Sequence, residues 1–445
     1  MKKDTFLRSV LRIALPVALQ AMLQSSFSMI DQIMVGQLGS DGVAAIEVAS
    51  RPAFIYITMI GALAAIAGIM VSQYMGQKDY KAGDRSLSVG LVGAGALATL
   101  FMAVCLILAR QVVGIYTEDA AIIDIGTGYI GIIAWTYIPM GVSTVLAVMI
   151  RCMDMSIYPL YASLASALVN TALNYLLIFG KLGFPQMGVT GAAIASLTSQ
   201  VLNLLLILLF FRMANRRIGK TFRFDLNLGK AGYLQYVAML MPILINEFLW
   251  SLGQNVNTYL YGHLGTWPLA AMALTGPVQG LLFGALSGIS QAAGILVGKR
   301  LGEREYEAAY QESKQLMLYG LVGSLALSAL LAVLSWPYAN IYNVEPEVKE
   351  IARWLLIALA ALAPVKVQNM VLGGGIIRSG GKTKYIMIID TVGTWLVGVP
   401  LGFLTTFVFK LNIVWVYFIL SQEELVRYII TVFMFRSRRW METIE

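Results

Sequence analysis

The chain has 445 residues, of which 58% are hydrophobic and only 13% charged, with a mean hydropathy of +0.74. A soluble fold of this length cannot bury that much apolar surface, so the bilayer is the solvent. The formal net charge of +8 lies between the hydrophobic runs, which points to membrane topology and away from nucleic acid.

The apolar runs are about 20–30 residues long, far beyond the ~10 of a barrel strand, so the spanning elements are helices. Twelve are predicted, at 11–35, 44–75, 87–109, 121–149, 158–179, 188–211, 236–260, 269–298, 315–338, 351–377, 385–408 and 412–435. Several exceed the ~20 residues needed to cross, so tilt or extension beyond the bilayer is expected. Lys2, Lys3, Arg8 and Arg12 precede the first span, and Lys78, Lys81 and Arg85 follow the second. The opposite loops carry only Arg110, Lys181, Lys349, Arg353 and Lys410. This asymmetry predicts cytoplasmic termini for a multi-pass protein of the cytoplasmic (inner) membrane. No cleavable signal is expected, because Met1–Arg12 is short and basic and no A-x-A-like site follows.

The longest polar stretch, Arg212 to Lys230, predicts an N-lobe at 1–213, a cytoplasmic linker at 214–233 and a C-lobe at 234–445. Each lobe has six spans. Six is even, so both lobes enter the membrane the same way, as parallel repeats related by a pseudo-two-fold axis along the membrane normal. The repeat is visible directly. A shift of 226 places Pro16 on Pro242, Gly36 on Gly262, Gly39 on Gly265, Gly68 on Gly294 and Gly76 on Gly302. At 227, Ile150-Arg151 falls on Ile377-Arg378. The expected fold class is an all-α polytopic membrane protein, twelve transmembrane helices in two six-helix lobes.

An ionisable side chain inside a span costs about 2.5–3.5 kcal/mol on insertion scales unless it is paired or faces water. In span 1, Gln20, Gln24, Ser28 and Asp31 form one polar stripe. Asp31 stands roughly 7 Å from the helix end at Gly36, by the helical rise. A buried Asp binds a proton or a cation alternately; packing between helices is the other reading. Span 4 holds Tyr129, and span 5 holds Asn170 and Asn174 on one helix face. The Asn pair either joins helices or forms a site with Asp31. In span 7, Glu247 sits among Asn246, Gln254, Asn255 and Asn257, with no basic residue in the span. That setting suits a coupling ion or a cationic substrate; a helix–helix hydrogen bond is the alternative. Asp31 aligns with Asn257, and Glu247 with Ala21, so the two lobes differ in chemistry. In the C-lobe a Lys366–Asp390 pair is expected, and i,i+4 pairs are expected for Glu423–Arg427 and Glu47–Arg51.

Cys105 and Cys152 read as buried free thiols, and no metal site is expected. No P-loop, HExxH or GxSxG occurs, so an enzyme is not expected. Without a nucleotide fold, uphill transport would draw on an ion gradient; no cofactor is expected, and H+ or Na+ is the expected coupling ion.

Asp31-Gln-Ile-Met-Val-Gly36, the Ile150-Arg151 and Ile377-Arg378 span ends, Gly188-Val-Thr-Gly-Ala-Ala193 and Asn246-Glu247-Phe-Leu-Trp-Ser-Leu-Gly253 resemble the multidrug and toxic compound extrusion (MATE) family. The resemblance covers nearly the whole chain. It implies export of drugs by proton or sodium antiport. It implies that Asp31 is the N-lobe acid whose protonation displaces substrate, and that Pro16 is the bending point of span 1. Asn170, Asn174 and Tyr129 match the N-lobe polar network, and Glu247 the C-lobe acid linked to cation binding. One departure is Val367, where sodium-coupled members of one branch carry an Asp in span 10; this favours proton coupling. The expected function is a secondary active multidrug exporter of amphipathic or cationic organic compounds, working by alternating access. Its expected partners are drugs, the coupling ion and the bilayer, with no nucleic acid, and a monomer is expected. A lipid-precursor flippase of the related superfamily, or a channel, is the alternative.

Overall fold

A backbone in hydrocarbon must satisfy its own N–H and C=O groups, so uninterrupted apolar sequence becomes long helix. The computed structural model describes residues 3–342 and 344–444 and, among these, every side chain but those at positions 3–5, 29, 32 and 40. The helices are α1 (Lys3–Gly36), α2 (Gly39–Ala49), α3 (Arg51–Gly76), α4 (Tyr80–Ile107), α5 (Ala109–Gly114), α6 (Ala120–Ile133), α7 (Tyr137–Cys152), α8 (Ile157–Phe179) and α9 (Gly188–Arg217). They continue with α10 (Gly229–His263), α11 (Thr266–Gly302), α12 (Tyr306–Ile341), α13 (Pro346–Asn369), α14 (Thr383–Thr391), α15 (Val399–Phe403), α16 (Ile413–Leu420) and α17 (Glu423–Arg436). No strand occurs among the described residues.

Among the described residues, eleven segments are long and apolar enough to cross a membrane. The expected twelfth span is two shorter helices, α16 and α17, broken by a turn at Ser421–Gln422. The break has a local cause. Glu423 and Glu424 lie in the first turn of α17, where carboxylates suit the positive end of a helix dipole. Three stretches are π-helical: Met370–Ile377, Val392–Gly398 and Leu404–Val408. The turns closing the first helix of each repeat are built alike. Gly39 has φ +84° and its equivalent Gly265 φ +112°, a region where any residue with a Cβ is strained.

The chain forms two contact units, one of residues 19–71 and 79–232, the other of 1–18, 72–78 and 233–445. In the first, Tyr56 Oη donates to the Tyr137 carbonyl at 2.6 Å, and the two rings lie 4.7 Å apart. Gly141 leaves the room this needs, since a Cβ there would stand 2.3 Å from Tyr56 Oη. Cys105 and Cys152 are buried free thiols. The basic stretch after α9 is docked: Lys220 reaches Asp84 at 2.6 Å and Arg85 reaches Asp225 at 2.7 Å. The hydrogen bond from Arg85 holds the Asp225 carboxyl below the usual carboxylate range.

In the second unit the end of α3 meets the end of α11 without intervening side chains. A Cβ on Gly76 would stand 2.1 Å from the Lys299 carbonyl oxygen, and one on Gly302 2.0 Å from that of Gln73. These two contacts are each other's image under the 226-residue repeat. Between them Ser72 lies against Gly298, its own repeat equivalent, with Ser72 Oγ 2.2 Å from an ideal Cβ there. The segment after α17 lies on the same helix ends. The Ile444 N–H donates to Gln73 Oε1 at 2.6 Å, and Gln73 Nε2 donates to the Ser379 carbonyl at 2.7 Å. Trp440 is fully buried there. The Gly373–Gly375 run packs closely: a Cβ on Gly375 would stand 2.5 Å from the Ser290 carbonyl oxygen.

Candidate functional site

Each unit holds its own polar cavity. That of the first unit has a volume of about 620 Å³ and is bounded by α1, α3, α7, α8 and α9. The span-1 stripe faces it: Gln20, Gln24, Ser28 and Asp31 all line the wall, as does Asn170. Asp31 is the only acidic side chain, and Arg151 the only basic one, among the described residues of that lining. The Asn174 side chain, fully buried, donates one hydrogen bond to Asp31 Oδ1 and another to Asn170 Oδ1 at 3.3 Å. The i,i+4 spacing in α8 thus presents both amides to one carboxylate. Tyr129 does not line the cavity. It is buried behind it, within electrostatic reach of Asp31 and with its hydroxyl toward Ser50.

A second polar group occupies the other end of the same cavity. Arg151 Nη2 donates to Gln20 Oε1 at 2.9 Å, and Gln20 Nε2 donates to Ser163 Oγ at 2.7 Å. Gln20 and Asp31 are eleven residues apart on α1, roughly 16 Å along its axis. The acid and the base therefore sit at opposite ends of one wall. Arg151 stood out in sequence only as the charge ending a span; its repeat with Arg378 was the signal that it lines a site.

The cavity of the second unit has a volume of about 780 Å³. It repeats the first in its lining. Trp250, Gln254 and Asn257 line it at the positions equivalent to Gln24, Ser28 and Asp31, and Arg378 at the position equivalent to Arg151. Its charges are different. Lys366, Arg378 and Arg427 stand against Asp390, Glu423 and Glu424. Glu247 does not line the cavity. It is half-buried, in the electrostatic field of Arg378 and Asp390. Asn246 is buried and donates to Asp390 Oδ2 at 2.9 Å. Asn255 is exposed and donates to the Ser251 carbonyl of its own helix at 2.8 Å, so it stands apart from both cavities. Pro16 lies inside α1, two residues before the boundary between the two units.

The expected ion pairs are redrawn in the second unit. Asp390 pairs with Arg427 and not with Lys366. Arg427 pairs with Glu424, three residues earlier, at 3.3 Å and not with Glu423. Two glycines explain this packing. The Arg427 stem runs over Gly393, where a Cβ would stand 2.2 Å from its Cγ, and the Glu423 carboxylate lies on Gly398, where a Cβ would stand 2.1 Å from Oε2. The Glu47–Arg51 pair forms as expected, at 2.7 Å.

The sequence profile described as MatE matches residues 16–176 and 242–404. The two matches start at Pro16 and Pro242, the positions that the internal repeat superposes. The uncharacterized transporter YisQ of Bacillus subtilis is 23% identical over 447 residues, covering 98% of this chain and 95% of that protein. The multidrug resistance protein MdtK of Edwardsiella ictaluri is 25% identical over 409 residues, covering 89% and 87%. The probable multidrug resistance protein NorM of Pasteurella multocida is 27% identical over 406 residues, covering 89% and 85%. Among solved structures, a mutant of the Vibrio cholerae MATE transporter VcmN matches with a TM-score of 0.89 at 16% identity, covering 98% of this chain and 99% of that one. A MOP superfamily transporter from Pyrococcus furiosus matches with a TM-score of 0.87 at 17% identity, covering 98% of each chain. At these identities the two structures establish the fold alone.

Proposed function

Because the chain belongs to the MatE family of membrane transporters, we propose that it exports amphipathic organic cations across the cytoplasmic membrane in exchange for protons. The observation that carries this reading is the isolation of Asp31: one carboxylate, held by Asn174, in a cavity whose only other charge among the described residues is Arg151 at the far end. A single acid in such a place takes either a proton or a cationic group. Exchange requires the two to compete, because each must bias the same two-state element.

The proposed cycle follows from that competition. In the state open to the outside, a proton reaches Asp31 and the cation leaves. The units then rearrange to face the cytoplasm, the proton is released, and a new cation binds. Val367 is fully buried and its neighbour Lys366 lines the second cavity, which supports a proton over sodium as the coupling ion. The termini lie on the cytoplasmic side in this reading, the transporter works as a monomer, and no metal or organic cofactor takes part. The balance of three bases against three acids in the second cavity counts against a flippase for a pyrophosphate-linked lipid, which calls for a strongly basic chamber.

The test is efflux of a fluorescent organic cation from membrane vesicles under an imposed pH gradient and, separately, an imposed sodium gradient. The pH gradient should drive efflux, and Asp31→Asn should abolish it at normal expression. Full activity of Asp31→Asn would remove the proposal; efflux driven only by sodium would replace the proton.

A further inference from the structure

In each unit the chain that leaves the last helix folds back in the same way. Gly219 and Arg438 stand two residues past α9 and α17, each with a left-handed backbone, at φ +70° and +58°. A ring just beyond then packs on a ring of the helix just ended: Phe222 on Phe211 at 5.4 Å, and Trp440 on Phe435 at 5.8 Å. In the first unit the chain settles on the start of α4, where Lys220 donates to the Tyr80 carbonyl at 3.3 Å and pairs with Asp84. In the second it settles on the start of α12, where Arg438 pairs with Glu307 at 2.8 Å and lies over the Tyr310 ring at 4.2 Å. Tyr306 is the repeat equivalent of Tyr80, so the two docking surfaces correspond.

The likeness ends there. The first segment runs on into α10, whereas residues 441–444 cross to the end of α3. Gln73 is fully buried, and this segment binds its amide from both sides. Its Oε1 accepts from the Ile444 N–H at 2.6 Å, and its Nε2 donates to the Glu442 carbonyl at 3.2 Å. Gln77 Nε2 donates to the Ile444 carbonyl at 2.8 Å. The other edge of the segment is tied to the second half of the repeat. Thr443 Oγ1 donates to the Leu301 carbonyl at 2.7 Å and shares a hydrogen bond of 2.9 Å with Tyr306 Oη, and Lys382 pairs with Glu442. The ends of α3 and α11 meet at Gly76 and Gly302, which have no side chains to hold them. The segment supplies the hydrogen bonds that the glycines lack.

We propose that residues 437–444 are a strap that holds the end of α3 against the end of α11 and sets how often those ends part. Trp440, fully buried, is its anchor. Beyond it the strap buries only Ile444 among the described residues, so residues 441–444 lift while the ring stays. With the ends closed, lifting strands the Gln73 amide without partners, which is costly. With the ends apart, water reaches that amide. Release of the strap and parting of the ends therefore favour each other. The export reading places this side in the cytoplasm and makes the parting a step of the cycle; in that respect the proposal rests on it, but the coupling itself does not.

Ser72 reports the parting, because it is fully buried and lies against Gly298. With Ser72→Cys in the purified full chain in detergent, the rate of reaction with a water-soluble maleimide measures how often the ends separate. No gradient or drug is present, so failure of the export reading leaves the result interpretable. Arg438→Ala and Thr443→Val loosen the strap from its own side without touching α3. Together they should speed labelling about ten-fold, as for a net loss of one or two hydrogen bonds. Thr443→Val alone should speed it several-fold and serves if the double variant does not yield folded protein. Gln73→Ala should act at least as strongly from the α3 side. The native thiols Cys105 and Cys152, both buried, should stay as slow as before; acceleration there as well would mean general loosening and would count against a strap. A rate unmoved by the strap-side variants in folded protein would overturn the proposal even if Gln73→Ala raised it, because Gln73 also donates to the Ser379 carbonyl.

Discussion

A methyl group on Gly393 would stand 2.2 Å from Cγ and 2.5 Å from Cδ of Arg427. The guanidinium that holds Asp390 and Glu424 together is therefore placed by an absent side chain. Gly393→Ala should push Arg427 off Asp390 and destabilise the fold by about 1–3 kcal/mol, the usual cost of overpacking a filled site. A lowered melting temperature of the detergent-solubilised chain would show this; an unchanged one would mean that the arginine stem has room to swing away. Residue identity alone exposed the polar cluster of the first cavity and not this one. Asp31, Asn170 and Asn174 were legible because helical spacing puts both amides on one face and a carboxylate in a span needs a partner. The partner of Asp390 was not. Lys366 and Arg427 are equally plausible by composition, and the choice depends on how α17 is rotated against α14, which hydropathy does not encode. The same rotation decides that Arg427 meets Glu424 and leaves Glu423 on Gly398.

Helix α1 runs through Pro16 without interruption, although proline there leaves the Arg12 carbonyl without its i+4 donor and crowds it. A helix weakened at one point bends there. The boundary between the two contact units falls two residues later, between Ala18 and Leu19, so the first part of α1 goes with one unit and the part bearing Asp31 with the other. Pro16→Ala restores the missing N–H and stiffens the helix at that point. It should slow drug efflux several-fold while leaving drug affinity close to that of the unaltered chain, which vesicle efflux and equilibrium binding would measure side by side. An unchanged efflux rate would remove Pro16 as a bending point. Element lengths were legible because the bilayer imposes them, and eleven spans follow from hydropathy alone. Local helix geometry was less so. The π-helical stretches and the break before α17 depend on hydrogen-bond register, which hydropathy does not encode.

At the scale of the molecule, the repeat governs more than topology. It places Trp250, Gln254, Asn257 and Arg378 around one cavity as Gln24, Ser28, Asp31 and Arg151 surround the other. The chemistry then diverges through residues that have no counterpart, Lys366 and Arg427 above all. Where Ser72 meets Gly298, the Ser72 Cβ lies 3.1 Å from an ideal Cβ on the glycine, close to the roughly 3.5–4.5 Å of bridged cysteines. A Ser72→Cys, Gly298→Cys double variant should form a disulfide under mild oxidation, read as a shift in electrophoretic mobility after cleavage of the chain between its halves. If export requires these helix ends to part, efflux should stop on oxidation and return on reduction. Undiminished efflux by the oxidised form would mean that they stay together throughout.

The same contact has a genealogical meaning. A residue that touches its own repeat equivalent is the signature of an isologous interface, in which one surface meets a copy of itself across a two-fold axis. Gly76 on Lys299 and Gly302 on Gln73 are the two halves of such an interface, now within one polypeptide. Two half-length chains bearing this helix end would have met here as a homodimer. Within one polypeptide the two halves differ freely: Ser72 stands opposite Gly298, and Asp31 faces its cavity where the other half presents Asn257.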